Sequence, residues 1–217
     1  KMFADFHADH LKLTSNMHID FLYSNESSFA PMKKDLGPEL APGDTITLNL
    51  FNRKIAGSFF KREIDKMYDL GWDFLWDDNG AYAAPAEFPT IDMNLWRGHL
   101  FFEDNTTRGK RPLYLGRYGG LGGHRYPVGF SGDTFATWES LDFQTVYNTS
   151  SANVCFLWTH DLGGFQNVWW DPEKPFEQTA KYDPELLLRW LQFGALTPAM
   201  RNQAAKQISI CKYPWEQ

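Results

Sequence analysis

Short apolar runs alternate with longer amphipathic stretches along the chain. Residues 2–10 place apolar side chains at helical spacing and lead into Leu11-Lys12-Leu13-Thr14. A polar stretch containing proline and glycine, 24–44, reads as a long loop. Over 53–70, Ile55, Phe59, Ile64, Met67 and Leu70 fall near one face, which predicts an amphipathic helix. Gly71 then sits where a C-cap glycine stops a helix. Three apolar runs, 73–76, 112–116 and 153–158, predict short buried strands. Each is followed at once by polar groups: Asp77-Asp78-Asn79, Arg117, and Thr159-His160-Asp161. Helices and loops fill the gaps between the runs, a rhythm that predicts parallel strands joined by helical crossovers.

Chemically equipped side chains directly after several parallel strands are the arrangement of a (β/α)8 TIM barrel. Its active site lies at the C-terminal strand ends. No internal repeat or low-complexity segment competes with this α/β reading. The 217 residues are 43% hydrophobic, 17% aromatic and 22% charged, which excludes a disordered tail, a collagen-like repeat and a disulfide-stapled miniprotein. A formal net charge of -6 makes a nucleic-acid partner unexpected, because phosphate binding needs a basic stripe. The chain has no apolar run of the roughly 18 residues that suggest a membrane span. Two cysteines, Cys155 and Cys211, are too few for a disulfide framework or a zinc site, and Cys155 reads as a buried thiol in an apolar run. The opening Lys1-Met2-Phe3-Ala4-Asp5-Phe6 resembles neither a start nor a signal peptide, so the chain is expected to be part of something longer. Asn25, Asn105 and Asn148 each head an N-glycosylation sequon, which points to a secretory or extracellular route.

Among the acids, Asp77 and Asp78 follow an apolar strand with Trp76 beside them. Asp133 lies in the small-residue turn Gly129-Phe130-Ser131-Gly132-Asp133-Thr134. Two carboxylates on separate barrel strands can flank a glycosidic bond, one attacking carbon or activating water and the other donating a proton. Trp76 and Phe130 suit such a site, since aromatic faces pack against sugar rings. The plainer alternatives are a loop residue or cap for Asp78 and a turn and helix N-cap for Asp133. Gly119-Gly120-Leu121-Gly122-Gly123 lacks the lysine and hydroxyl of a P-loop and the spacing of a dinucleotide fingerprint, so it reads as a tight loop shaping a pocket. His7 and His10 have no third ligand in view for a metal. No Gly-x-Ser-x-Gly elbow supports a serine nucleophile.

In series, these segments resemble glycoside hydrolase family 31, the α-glucosidase and α-xylosidase family. The resemblance covers nearly the whole chain, in order. It runs through His7-Ala8-Asp9-His10-Leu11-Lys12-Leu13-Thr14-Ser15-Asn16-Met17-His18, similar to the third barrel strand, and Asp69-Leu70-Gly71-Trp72-Asp73-Phe74-Leu75-Trp76-Asp77-Asp78, similar to the nucleophile strand. It continues through Arg117 to Pro127, Phe130-Ser131-Gly132-Asp133-Thr134 with Trp138, Thr159-His160-Asp161-Leu162-Gly163-Gly164-Phe165, and Arg189 to Ala195 with Pro198 and Arg201. The resemblance implies a partial (β/α)8 catalytic domain over 1–217, about strands 3 to 7, from a longer polypeptide whose remainder would complete the barrel. It implies Asp78 as nucleophile and Asp133 as general acid/base, protonated in its setting. It further implies Arg117 as a sugar-holding arginine, Trp76 and Phe130 as pocket-wall aromatics, and Asp161 as a carboxylate near the pocket base. The implied reaction is retaining hydrolysis of terminal α-glucosyl or α-xylosyl residues from an α-linked oligosaccharide or glycoside, with no metal or organic cofactor and with the two carboxyl groups about 5–5.5 Å apart.

Three positions depart from the family pattern. Gln203 stands where a sugar-binding histidine is usual, and it can still hydrogen-bond a hydroxyl. Asp77 precedes the nucleophile position, where an apolar residue is usual, and two buried neighbouring carboxylates would hinder each other's ionisation. Asn79-Gly80 replaces longer polar residues. These departures sustain the alternative of a non-catalytic relative serving as a glycan-binding or structural subunit.

Overall fold

The computed structural model describes residues 2–78, 89–117, 122–151, 157–166 and 183–203, with the side chains of 149–151 left aside. Cys155, Cys211, Asn79-Gly80 and the run from Gly119 to Leu121 lie outside the described residues. The chain forms two compact units, Lys1–Gly116 and Arg117–Gln217.

In the first unit, helix α1 (Met2–Ala8) leads to strand β1 (Thr14–Met17), which pairs in parallel with β4 (Phe74–Asp77). β4 pairs in parallel with β5 (Tyr114–Arg117), placing Trp76 opposite Leu115 and Asp77 opposite Gly116. Both strands sit slightly later than the apolar runs suggest, and just before β4 Asp73 is occupied as an anchor. Its carboxylate accepts from the Leu13 N–H at 2.9 Å and pairs with His7 and Lys12. Between β1 and β4, strands β2 (Phe21–Tyr23) and β3 (Thr45–Thr47) pair antiparallel. Helix α2 (Phe29–Leu36) lies within 24–44, correcting the long-loop expectation. Phe29, Met32 and Leu36 bury one stripe, and Pro31 is tolerated because it falls in the first turn.

The helical stretch 53–70 forms as predicted, but in three parts. α3 (Arg53–Phe59) starts at Asn52, whose side chain accepts from the N–H groups of Lys54 and Ile55. A π-helical turn (Phe60–Ile64) intervenes before α4 (Asp65–Leu70). The Ser28 hydroxyl donates to the Arg62 carbonyl in that turn at 2.8 Å. One inserted residue rotates the succeeding helix by about 100°. Ile55, Phe59 and Ile64 are therefore buried while Leu70 is 63% exposed, against the single face predicted for all of them. Gly71 caps the end in the left-handed region, φ 111°, as its position suggests. Helix α5 (Met93–Thr107) then crosses between β4 and β5.

In the second unit, β6 (Gly129–Phe130) pairs in parallel with β7 (Trp158–Thr159). The sequence reads 129–134 as a turn only; β6 is a two-residue strand, too short for alternation to reveal. Of the expected strand 153–158, residues 153–156 are outside the described residues. Gly129 is dictated by contact, since a Cβ there would stand 2.4 Å from the Trp158 ring. Helices α6 (Trp138–Ser151) and α7 (Pro184–Gly194) bring Leu141, Leu186 and Trp190 around Leu162. Full burial of each such side chain contributes about 1.5–3 kcal/mol.

Candidate active site

Strand alternation separates the two adjacent aspartates. Asp77 is 2% exposed, and its carboxylate accepts from the Tyr114 hydroxyl at 2.8 Å and from Arg97 at 3.4 Å. Arg97, itself buried, also pairs with Asp20 at 3.0 Å and donates to the Ile19 carbonyl. Burial pushes Asp77 up to about 6, against the pull of Arg97 and Tyr114. Next to this carboxylate, burial pushes the Tyr114 hydroxyl well above its ordinary range. Asp77 thus fastens α5, β4, β5 and the turn after β1. It points into the interior and not into solvent.

Asp78 is one residue on, and successive strand side chains point to opposite faces. Its backbone N–H donates to the Met17 carbonyl at 2.9 Å, extending the β1–β4 pairing past the strand end. In this register Asn16 stands opposite Trp76. The Asn16 amide reaches across and donates to Asp78 Oδ2 at 2.5 Å. His18 Nε2 lies 3.8 Å from the same oxygen. Asn16 and His18 also line a cavity of about 520 Å³ with Phe21, Tyr23, Glu26 and Glu63. Trp76, on the Asp78 side by alternation, keeps only 9% of its surface exposed. Sequence reasoning names the segment around Asn16 but gives Asn16 no role. Only the strand pairing brings it to Asp78, 62 positions away.

The second unit holds its carboxylates differently. Arg117 donates to Asp133 Oδ1 at 2.5 Å, and the Gln166 amide donates to Oδ2 at 3.4 Å. Asp133 thus accepts from two side chains on different segments, which fixes where its carboxyl group lies. Arg201 pairs with Asp161 at 2.6 Å and donates to the Gln203 amide oxygen at 2.6 Å. Asp161 is 1% exposed, so its carboxylate serves Arg201. Both guanidinium groups lie over the Phe130 ring, Arg201 at 4.6 Å and Arg117 at 5.4 Å. Phe130 is 1% exposed and lies beneath the arginines. His160 Nδ1 lies 3.3 Å from the Ser131 hydroxyl, and burial and the nearby Arg201 push the ring down to about 4. The parts played by Arg201 and His160 have no sequence signal beyond motif membership, and Gln166 lies just past the Thr159–Phe165 motif.

Of the sequons, Asn25 is exposed and Asn148 partly so. Asn105 is corrected: it is 1% exposed, accepts from the Tyr68 hydroxyl, and donates to the carbonyls of Phe101 and Leu113. A glycan there would displace all three bonds. Of the two N-terminal histidines, His7 is paired with Asp73.

The family model described as the glycosyl hydrolases family 31 TIM-barrel domain matches residues 1–217. The chain belongs to glycoside hydrolase family 31. Within the family it is 27% identical over 191 residues to an alpha-glucosidase 2 of Bacillus thermoamyloliquefaciens, covering 77% of this chain and 22% of that protein. It is 34% identical over 141 residues to alpha-xylosidase A of Aspergillus niger, covering 59% of this chain and 19% of that protein. Its fold matches the crystal structure of the family 31 alpha-xylosidase from Xanthomonas citri with a TM-score of 0.71 at 18% identity, over 94% of this chain and 26% of the other. The chain therefore spans about a fifth of the length of the curated relatives it matches. Its parallel strands and crossing helices form part of the family's barrel.

Proposed function

We propose that the chain carries the two reacting carboxylates of a retaining α-glycosidase acting on terminal α-glucosyl or α-xylosyl residues. The observation that carries this is Asp78, lifted out of the buried Asp77 network by strand alternation and held at a strand end by Asn16. That is where a TIM barrel does its chemistry. On this reading an Asp78 oxygen forms a bond to the anomeric carbon while the bond to the leaving oxygen breaks, and Asp133 gives that oxygen a proton. Water then displaces Asp78 as Asp133 takes its proton back.

The Arg117 pair describes the resting site. Sugar hydroxyls compete for the Arg117 fork, which frees the Asp133 carboxyl to face the leaving oxygen. Trp76 and Gln203 offer an apolar edge and an amide to the sugar, and Asp161 and Phe130 act through Arg201. The relatives named for glucosides and xylosides motivate the substrate class. The rest of a longer polypeptide completes the pocket, and exposed Asn25 is consistent with a secretory route.

The test is Asp78→Asn together with a mechanism-based 5-fluoro-α-glycosyl fluoride. Loss of turnover by a factor of a thousand or more, on the order seen for removal of catalytic nucleophiles, and a label on the Asp78 peptide bear the proposal out. Tight glycan binding by a folded, unlabelled protein overturns it in favour of a non-catalytic relative.

A further inference from the structure

We infer that Asn16 is the positioning residue for Asp78, setting the carboxylate's plane for attack on the anomeric carbon. This rests on the reading of Asp78 as nucleophile. Three contacts converge on the same point. Asn16 donates to Oδ2 at 2.5 Å. The Asp78 N–H is tied to Met17, the residue after Asn16, at 2.9 Å. His18, two residues on from Asn16, stands 3.8 Å from the same Oδ2. Residues two apart along an extended chain share a face, so β1 presents Asn16 and His18 together.

The backbone on which Asp78 is mounted is held from the other face. Asp77 is gripped there by Arg97 and Tyr114, and Arg97 also grips Asp20 just beyond β1. The ends of β1 and β4 are thereby locked to each other, and the remaining freedom of Asp78 is rotation of its own side chain. The Asn16 bond restrains that rotation.

The experiment compares the protein with its Asn16→Ala and Asn16→Asp variants, using 5-fluoro-α-glucosyl and 5-fluoro-α-xylosyl fluoride as probes. In the labelling step the bond from Asp78 oxygen to C1 forms as the C1–F bond breaks and fluoride leaves. Asn16→Ala is expected to lower the limiting labelling rate about 10- to 100-fold, the loss of one charge-assisted hydrogen bond. Half-saturation by the probe and the melting temperature stay near the parent values. Asn16→Asp keeps the shape but replaces the donor by a second carboxylate, and is expected to label more slowly still. A residue that only fills space predicts the opposite order, with the isosteric aspartate tolerated better than alanine. Asp78 labelling in the parent with an unchanged rate in Asn16→Ala, or the aspartate variant outpacing the alanine variant, overturns the Asn16 role and leaves the nucleophile standing. Absence of label on Asp78 in the parent overturns both.

Discussion

Each unit buries a titratable group, Asp77 in the first and His160 in the second, and the two have opposite consequences in acid. In the first, Asp77 is buried within the Arg97 and Tyr114 network and binds its proton with a pKa near 6, above the ordinary 3.8. The folded unit then holds a proton between about 4 and 6 that the unfolded chain has released. This group's contribution is fully present below 3.8 and is lost as pH rises through 6. In the second unit, His160 is buried neutral with a pKa near 4, below the ordinary 6.5. There the unfolded chain binds the extra proton, so stability present above 6.5 is lost as pH falls towards 4. A buried acid and a buried base, each packed against an arginine, therefore pull stability in opposite directions across nearly the same pH window. Burial alone does not set acid sensitivity; the charge type of the buried group does.

The largest way to break this comparison is to remove the cation from the first unit. Arg97→Met leaves Asp20 and Asp77 buried without their shared partner and is expected to lower stability by about 3–5 kcal/mol. Loss of hydrogen-exchange protection concentrated in β4 and α5 is the readout, and an undiminished first unit would show the network to be dispensable. A pH series sharpens the contrast next. Between pH 6.5 and 4, protection in β7 and α7 should fall by an amount on the order of 2–3 kcal/mol, set by the His160 displacement. Protection in β4 and α5 should not fall with it. Parallel loss in both units would refute the opposition of Asp77 and His160.

His160→Gln tests the same point more narrowly. It is expected to flatten the acid response of β7 and α7 while changing stability at pH 7 by about 1 kcal/mol. The smallest effect belongs to His18. Its side chain is 64% exposed and 3.8 Å from Asp78, so His18→Ala should slow Asp78 labelling by less than about fivefold and leave melting unchanged. A larger loss would make His18, not Asn16, the main support of the carboxylate.

Legibility in the sequence tracks the range of the interactions involved. The helix over 53–70, its Gly71 stop, and the β4 and β5 strands can be read because periodicity and capping act within a few residues. Helix α2 is hidden by Pro31, by its lysines and by Gly37 just after it, although Phe29, Met32 and Leu36 carry its buried stripe. The exposure of Leu70 cannot be read, because the π-turn that rotates it is secured by Ser28 from another element. Asp78 is legible as a motif position. The burial of Phe130 beneath two arginines and the loss of Asn105 as a sequon are not.

By itself the sequence determined the helix over 53–70 with its Gly71 stop, the buried strands β4 and β5, and the family to which the motifs belong, because periodicity and capping act within a few residues. Tertiary structure alone decided which partner each carboxylate meets: Arg97 for Asp77, Asn16 for Asp78, Arg117 for Asp133 and Arg201 for Asp161. Those choices depend on inter-strand register and on how far each group is removed from water. Both are properties of packing between segments distant in sequence, and no local pattern of residue types encodes them.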